Sequence, residues 1–144
     1  MDLLNVARVP PVMAAPTMTI DEALKRMVTF NVGAVVVVDN ERRIIGIFSE
    51  RDVVRRVAIK HLDVESTPIS HVMSLNVETA TPETTIEEAL TRMIRGHFRH
   101  LPIVDTLNRV IGIVSVRYLL MRQLGENRLM RRIMESELEL AEMV

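Results

Sequence analysis

Apolar positions along this chain follow two alternating spacings. Ile20, Ala23, Leu24, Met27 and Val28 recur every three or four residues, the pattern of a helix with one buried face. Thr19 and Glu22 stand before that stripe at the spacing of a capping box, so a helix is predicted to start there. Val35-Val-Val-Val38 then forms a short β-branched run, the pattern of a strand covered on both faces. The polar stretch Asp39 to Arg43 reads as a turn and Ile44 to Phe48 as a second strand, which together make a hairpin. Helical spacing returns at Val53, Val54, Val57 and Ala58 and fades in the polar stretch His61 to Thr67. Upstream, Pro11 to Pro16 reads as extended, because a residue that precedes proline disfavours helix.

The same pattern is then written again. Thr19 to Val28 returns as Thr85 to Ile94 with seven identities in ten positions, at an offset of 66 residues. That offset also aligns Asp39 with Asp105, Gly46 with Gly112 and Ser49 with Ser115, with no gap. A repeated unit that cannot bury its apolar face alone packs against its copy. Val77 to Pro82 becomes the second extended opening, Leu101 to Val104 and Val110 to Val114 the second hairpin, and Val116 the start of the second closing helix, with Gly125 as a stop. Pro102 lacks an amide donor, so its strand is expected at an edge or where backbone faces a cleft. Ile69 to Met73 reads as a helical turn that leads into the second unit. The expected fold is α/β of the α+β kind: two βαββα repeats, residues 1–66 and 67–124, packed about a pseudo-two-fold axis. An amphipathic helix over 125–144, with Leu129, Met130, Ile133, Met134, Leu138 and Ala141 on its apolar stripe, has no counterpart in the repeat and needs a partner face.

Composition narrows the chemistry. Eighteen basic and nineteen acidic residues give a net charge of -1, which offers no electrostatic footprint for DNA, RNA or an anionic membrane. Aromatic residues make up 3% of the chain, too few for a base-stacking surface, and the ten methionines read as core filler. With no cysteine there is no thiol nucleophile, disulfide or cysteine metal site, which suits a reducing cytoplasm. The first sixteen residues lack the basic and apolar regions of a signal peptide, and no apolar run approaches the roughly 20 residues of a membrane span. A cytoplasmic protein is the expectation. His97 and His100 invite a metal reading, but on an extended segment they face opposite ways and no acidic cluster completes a shell, so none is expected.

The order strand, helix, strand, strand, helix, twice over, with Gly-x-x-Ser at each closing helix, resembles the CBS (cystathionine β-synthase) domain. The stretches NVGAVVVVD to IIGIFSERDVVRRV and HVMSLNVETATP to VIGIVS are similar to those of stand-alone bacterial tandem pairs. The resemblance covers roughly residues 5–124. It implies a regulatory module that binds an adenine nucleotide, AMP or ATP foremost and NADH or S-adenosylmethionine as alternatives, in the clefts between repeats. It also implies a disc-shaped homodimer and a regulated partner protein.

Ser49 and Asp52 are the sharpest pair. A carboxylate accepts two ribose hydroxyls, and a hydroxyl at a helix start suits a phosphate. The spacing by itself favours a helix cap; the resemblance favours the ligand. Gly46 precedes them on the strand. In the second unit Ser115 persists but Tyr118 replaces the aspartate, which weakens or alters the second ribose site. Arg99 and His100 lead into the strand bearing Pro102, and the resemblance places that strand along the cleft, where arginine forks phosphate and histidine adds a titrating donor. Thr79 matches the family threonine after the opening strand, where the first unit has Met13. Arg51 and Arg117, repeated at one helix position, reach phosphate or cover the helix surface.

No catalytic constellation is visible: neither a nucleophile with its base, a Walker loop, nor a dinucleotide fingerprint. The chain reads as a sensor without chemistry of its own. A rival of another class is a ligand-free interaction module whose cleft is closed by side chains, which Tyr118 favours.

Overall fold

The computed structural model describes residues 2–124 together with Arg132, Glu135 and Ser136. The expected C-terminal helix over 125–144 and its stop at Gly125 fall outside the described residues, those three isolated positions aside. The elements of the first repeat are β1 (Met13–Ala14), α1 (Ile20–Phe30), β2 (Ala34–Val38), β3 (Ile44–Ser49) and α2 (Glu50–Asp52), which continues as a π-helix over Val53–Ala58. The second contributes α3 (Ile86–Gly96), β4 (His100–Val104), β5 (Val110–Ser115) and α4 (Val116–Leu124). No helix among the described residues is long and apolar enough to cross a membrane.

Local chemistry sets the boundaries. Thr19 accepts from the Glu22 amide at 3.2 Å while the Glu22 carboxylate accepts from the Thr19 amide at 3.4 Å, which closes the predicted capping box. Thr85 caps α3 with the first of these bonds alone, accepting from the Glu88 amide at 3.1 Å. Asn31 and His97 end α1 and α3 in the left-handed region, at φ 52° and 56°. His97 is therefore a helix terminus and not part of the extended segment expected from its sequence. Each hairpin turn is held by its aspartate: Asp39 and Asp105 both accept from the amide four residues on, at 2.9 Å, and pair with the guanidinium of Arg43 and Arg109. Those amide bonds, foremost, hold both carboxyls below the usual carboxylate range.

Strands β2 and β3 pair antiparallel with β1 parallel beside β2, and β4 pairs antiparallel with β5. The two sheets are unequal because of one residue. In the first repeat the Val36 amide donates to the Val12 carbonyl at 3.0 Å and draws the opening segment into a strand. Its counterpart at the 66-residue offset is Pro102, which has no amide to give. The opening of the second repeat is thereby reduced to a single parallel bridge between Ala80 and Ile103. Pro102 itself is buried within β4, and its carbonyl accepts from the Ala80 amide at 2.8 Å, so it lies neither at a free edge nor on a cleft.

The repeats exchange their leading segments. Ser74, in the leading segment of the second repeat, pairs with Ile47 of β3, and Arg8, in that of the first, pairs with Ile113 of β5; both partners differ by the same 66-residue offset. Ile69 and Val72 accordingly lie in one core with Ile20, Met27 and Phe48, while Leu3 and Val6 lie in the other with Met93, Leu101 and Leu119. A third cluster, Val36, Val104, Val110 and Ile113, joins the sheets. Each fully buried aliphatic side chain contributes about 1.5–3 kcal/mol, so the exchange binds either repeat to the other through its own core. Arg43 and Arg109 pair with each other and mark the pseudo-two-fold axis. The apolar stripes are narrower than predicted: Ala23, Met27, Ala89 and Met93 are buried, but Val28 and Ile94 are 81% and 60% exposed.

Candidate functional site

A cleft of about 1010 Å³ opens between the repeats, walled by β3 and α2 on one side and by α3 and the entry to β4 on the other. Ser49, Arg51, Asp52, Arg99 and His100 line it, five of the ten residues expected at a site. Asp52 is the one buried charged residue among those described, at 6% exposure. One of its oxygens accepts from the Ser49 amide at 2.9 Å and the Ser49 hydroxyl at 3.3 Å. The other accepts from the Ser74 hydroxyl at 3.2 Å, and the Arg56 Nε stands 3.7 Å away. Asp52 thus caps its own helix and also ties it to the exchanged segment. Two of its three close partners are hydroxyl rotors, which can turn away and leave lone pairs to incoming hydroxyls.

Arg51 reaches across the cleft and donates to the carbonyl of His97, the C-cap of α3, where the helix dipole favours a cation. The next pair of arginines divides its work. Arg56 donates to the carbonyls of Val72 and Met73 at 3.2 and 2.9 Å, whereas Arg55 lines the cleft. Both lie on the π-helix, which the helical spacing did not predict and which is a frequent mark of functional positions. The His100 ring comes within 3.3 Å of where a Cβ on Gly33 would stand, beside the Glu50 carboxyl carbon at 3.6 Å from the same point. Burial, and then the charge of Arg99, hold the His100 imidazole below its ordinary pKa.

The other expected residues lie elsewhere. Gly46 does not line the cleft; a Cβ there would meet the Met73 sulfur at 2.7 Å and the Ser74 carbonyl at 3.1 Å, so its place is to let the exchanged segment cross the sheet. Thr79 is bound through its carbonyl, which accepts from Arg92 at 2.9 Å. Pro102 is in the sheet, as described. Ser115 accepts from the Tyr118 amide at 3.1 Å and caps α4, and Arg117 is exposed; neither lines this cleft. The sequence reading missed Ser74, Glu50, Arg55 and Glu78. Ser74 and Arg55 carry no motif of their own, and only the exchange of segments and the π-helix bring them to the site.

Two copies of an α+β unit about a pseudo-two-fold axis, with a cleft between them that holds a buried aspartate, define a paired-repeat module. The CBS domain family model matches residues 4–59 and 69–125, and the chain belongs to that family. A 17.7 kDa protein of Acidianus ambivalens is 37% identical over 113 residues, 78% of this chain and 67% of that protein. The chain spans far less of other curated relatives, 18% of a CBS domain-containing protein of Arabidopsis thaliana that is 40% identical over 100 residues. Among solved structures, a CBS domain protein of Pyrobaculum aerophilum complexed with AMP superposes with a TM-score of 0.75 at 26% identity, covering 82% of this chain and 89% of that one. The CBS domain pair of protein MJ0100, in complex with 5′-methylthioadenosine and S-adenosyl-L-methionine, gives a TM-score of 0.77 at 25% identity, covering 87% of this chain and all (100%) of that one.

Proposed function

We propose that this chain is a non-enzymatic regulatory module that binds an adenosine-bearing metabolite in the cleft beside Asp52. The observation that carries the reading is the buried Asp52 carboxylate, held by two serine hydroxyls that vicinal ribose hydroxyls can replace. The apolar residues Ile47, Val77, Ile94 and Phe98 give a flat heterocycle walls of the right kind. AMP bound to the Pyrobaculum protein, and methylthioadenosine and S-adenosylmethionine bound to the MJ0100 pair, support the same class of ligand. Since α2 and α3 belong to different repeats, a ligand that touches both favours one arrangement of the pair, and a partner protein reads the difference. The site is regulatory, in a protein of the cytoplasm, and requires no cofactor.

Titration calorimetry with AMP, ATP, NADH, methylthioadenosine and S-adenosylmethionine tests the reading. At least one is expected to bind, and Asp52→Asn is expected to weaken it tenfold or more, about 1.4 kcal/mol. Absence of heat and of thermal shift with all five would refute it.

A homodimer is the proposed assembly. Val28 and Ile94 on α1 and α3, and Val54 and Leu120 beyond β3 and β5, are exposed apolar pairs at the 66-residue offset, so a pseudo-symmetric face is presented that a second copy matches. Light scattering is expected to give twice the chain mass, and Val28→Glu with Leu120→Glu, neither of which lines the cleft, to halve it. If nothing binds the cleft while those variants abolish assembly, the interaction-module reading replaces the sensor.

A further inference from the structure

The charges around the cleft do not cancel. Six charged residues line it: Arg51, Arg55 and Arg99 against Glu50, Asp52 and Glu78. Two of the three acids are already answered by arginines outside the lining. Asp52 has Arg56 at 3.7 Å, and Glu78 is paired by Arg92 at 3.2 Å. Arg51 donates to a carbonyl, which leaves its charge in place. Among the described residues Arg51, Arg55 and Arg99 make no ion pair, so three arginines face one uncompensated carboxylate, Glu50. Arg55 stands on the wall from the first repeat and Arg99 on the wall from the second, with their hydrogen-bond donors uncommitted to protein acceptors among the described residues.

A cleft walled in this way attracts anions and repels cations, and guanidinium groups offer the fork that phosphate oxygens accept. The adenosine ligands consistent with the site differ in this respect. AMP, ADP and ATP are anions, adenosine and methylthioadenosine are neutral, and S-adenosylmethionine carries a net positive charge. Resting on the reading of the cleft as an adenosine site, we propose that it selects adenosine ligands that bear phosphate, with Arg55 and Arg99 as the residues that set the selection. A phosphate held by both would also bridge the two repeats.

The test is a binding panel of adenosine, AMP, ATP, methylthioadenosine and S-adenosylmethionine on the full chain, at low and at raised salt. AMP is expected to bind about tenfold or more tighter than adenosine or S-adenosylmethionine, with the advantage shrinking as salt rises. Arg55→Gln and Arg99→Gln are each expected to weaken AMP about fivefold or more while leaving adenosine unchanged, and Arg99→Lys to recover part of the loss. Both positions are exposed, and an unaltered melting temperature will show that the variants fold. Equal affinity for AMP and adenosine, or tighter binding of S-adenosylmethionine, would overturn the selection while leaving the adenosine site intact. Silence from every member of the panel would overturn both.

Discussion

The two halves of this pair share one backbone plan and differ in a few side chains around the place where the cleft opens at the first. At the first, Asp52, Ser74 and Gly96 stand where the 66-residue offset puts Tyr118, Arg8 and Phe30 at the second. Gly96 leaves room for the Phe98 ring, which packs against the place its side chain would occupy. Its counterpart Phe30 instead bears a ring, and the Arg8 guanidinium lies over it at 5.9 Å from the ring centre, within cation–π range. The carboxylate is gone as well, and the tyrosine in its place offers a hydroxyl that cannot take two donors as an aspartate does. Gene-level symmetry does not guarantee functional symmetry: the frame is duplicated, while the ligand chemistry is concentrated on one side.

Substitutions that exchange features between the halves sharpen this contrast. The largest effect is expected from Val36→Pro, which copies Pro102 into the first repeat. It removes the amide bond to Val12, leaves that buried carbonyl unpaired, and should cost about 2–3 kcal/mol in denaturant unfolding. Next comes Gly46→Ala, where the new Cβ meets Met73 and the Ser74 backbone; about 1–2 kcal/mol is expected. Gly112→Ala, whose Cβ would meet only side chains of Leu4, Val9 and Ala7 at 3.2–3.4 Å, should cost less than about 1 kcal/mol. Equal losses at the two glycines would show that the crossings are equivalent after all.

The smallest effect concerns His100, whose counterpart in the first repeat is the buried Ala34. Its folded pKa is depressed, so below about pH 6.5 the unfolded chain takes up a proton that the folded protein resists. Stability is therefore complete above that pH and declines as pH falls toward the folded value. The groups that face the ring are Arg99, which opposes its protonation, and Glu50 across Gly33. His100→Asn should flatten the pH profile of the melting temperature between pH 7 and 5; an unchanged profile would place the titration elsewhere.

Much of this architecture is legible in the amino-acid sequence. The capping box at Thr19, the N-cap at Thr85, the β-branched runs and the aspartate turns are local signals, and local hydrogen bonds produced them. The repeat doubled each signal, and its family resemblance pointed to Asp52 and to Arg99. Three things were out of reach. The exchange of Leu3–Arg8 and Ile69–Ser74 between repeats is a long-range pairing, set by sheet edges that no periodicity marks. Gly46 looked like part of a binding motif because it adjoins Ser49, whereas its place is explained by the segment crossing above it. The missing donor of Pro102 suggests an edge or a cleft, when what matters is the single amide it denies to the neighbouring segment.

The most direct test of the asymmetry is the number of ligands each chain takes up. Calorimetric titration of the full chain with AMP, paired with Asp52→Asn and Tyr118→Phe, is expected to give one ligand per chain, lost tenfold or more in affinity with the first variant and unchanged with the second. Two ligands per chain, or equal sensitivity to both substitutions, would contradict the account.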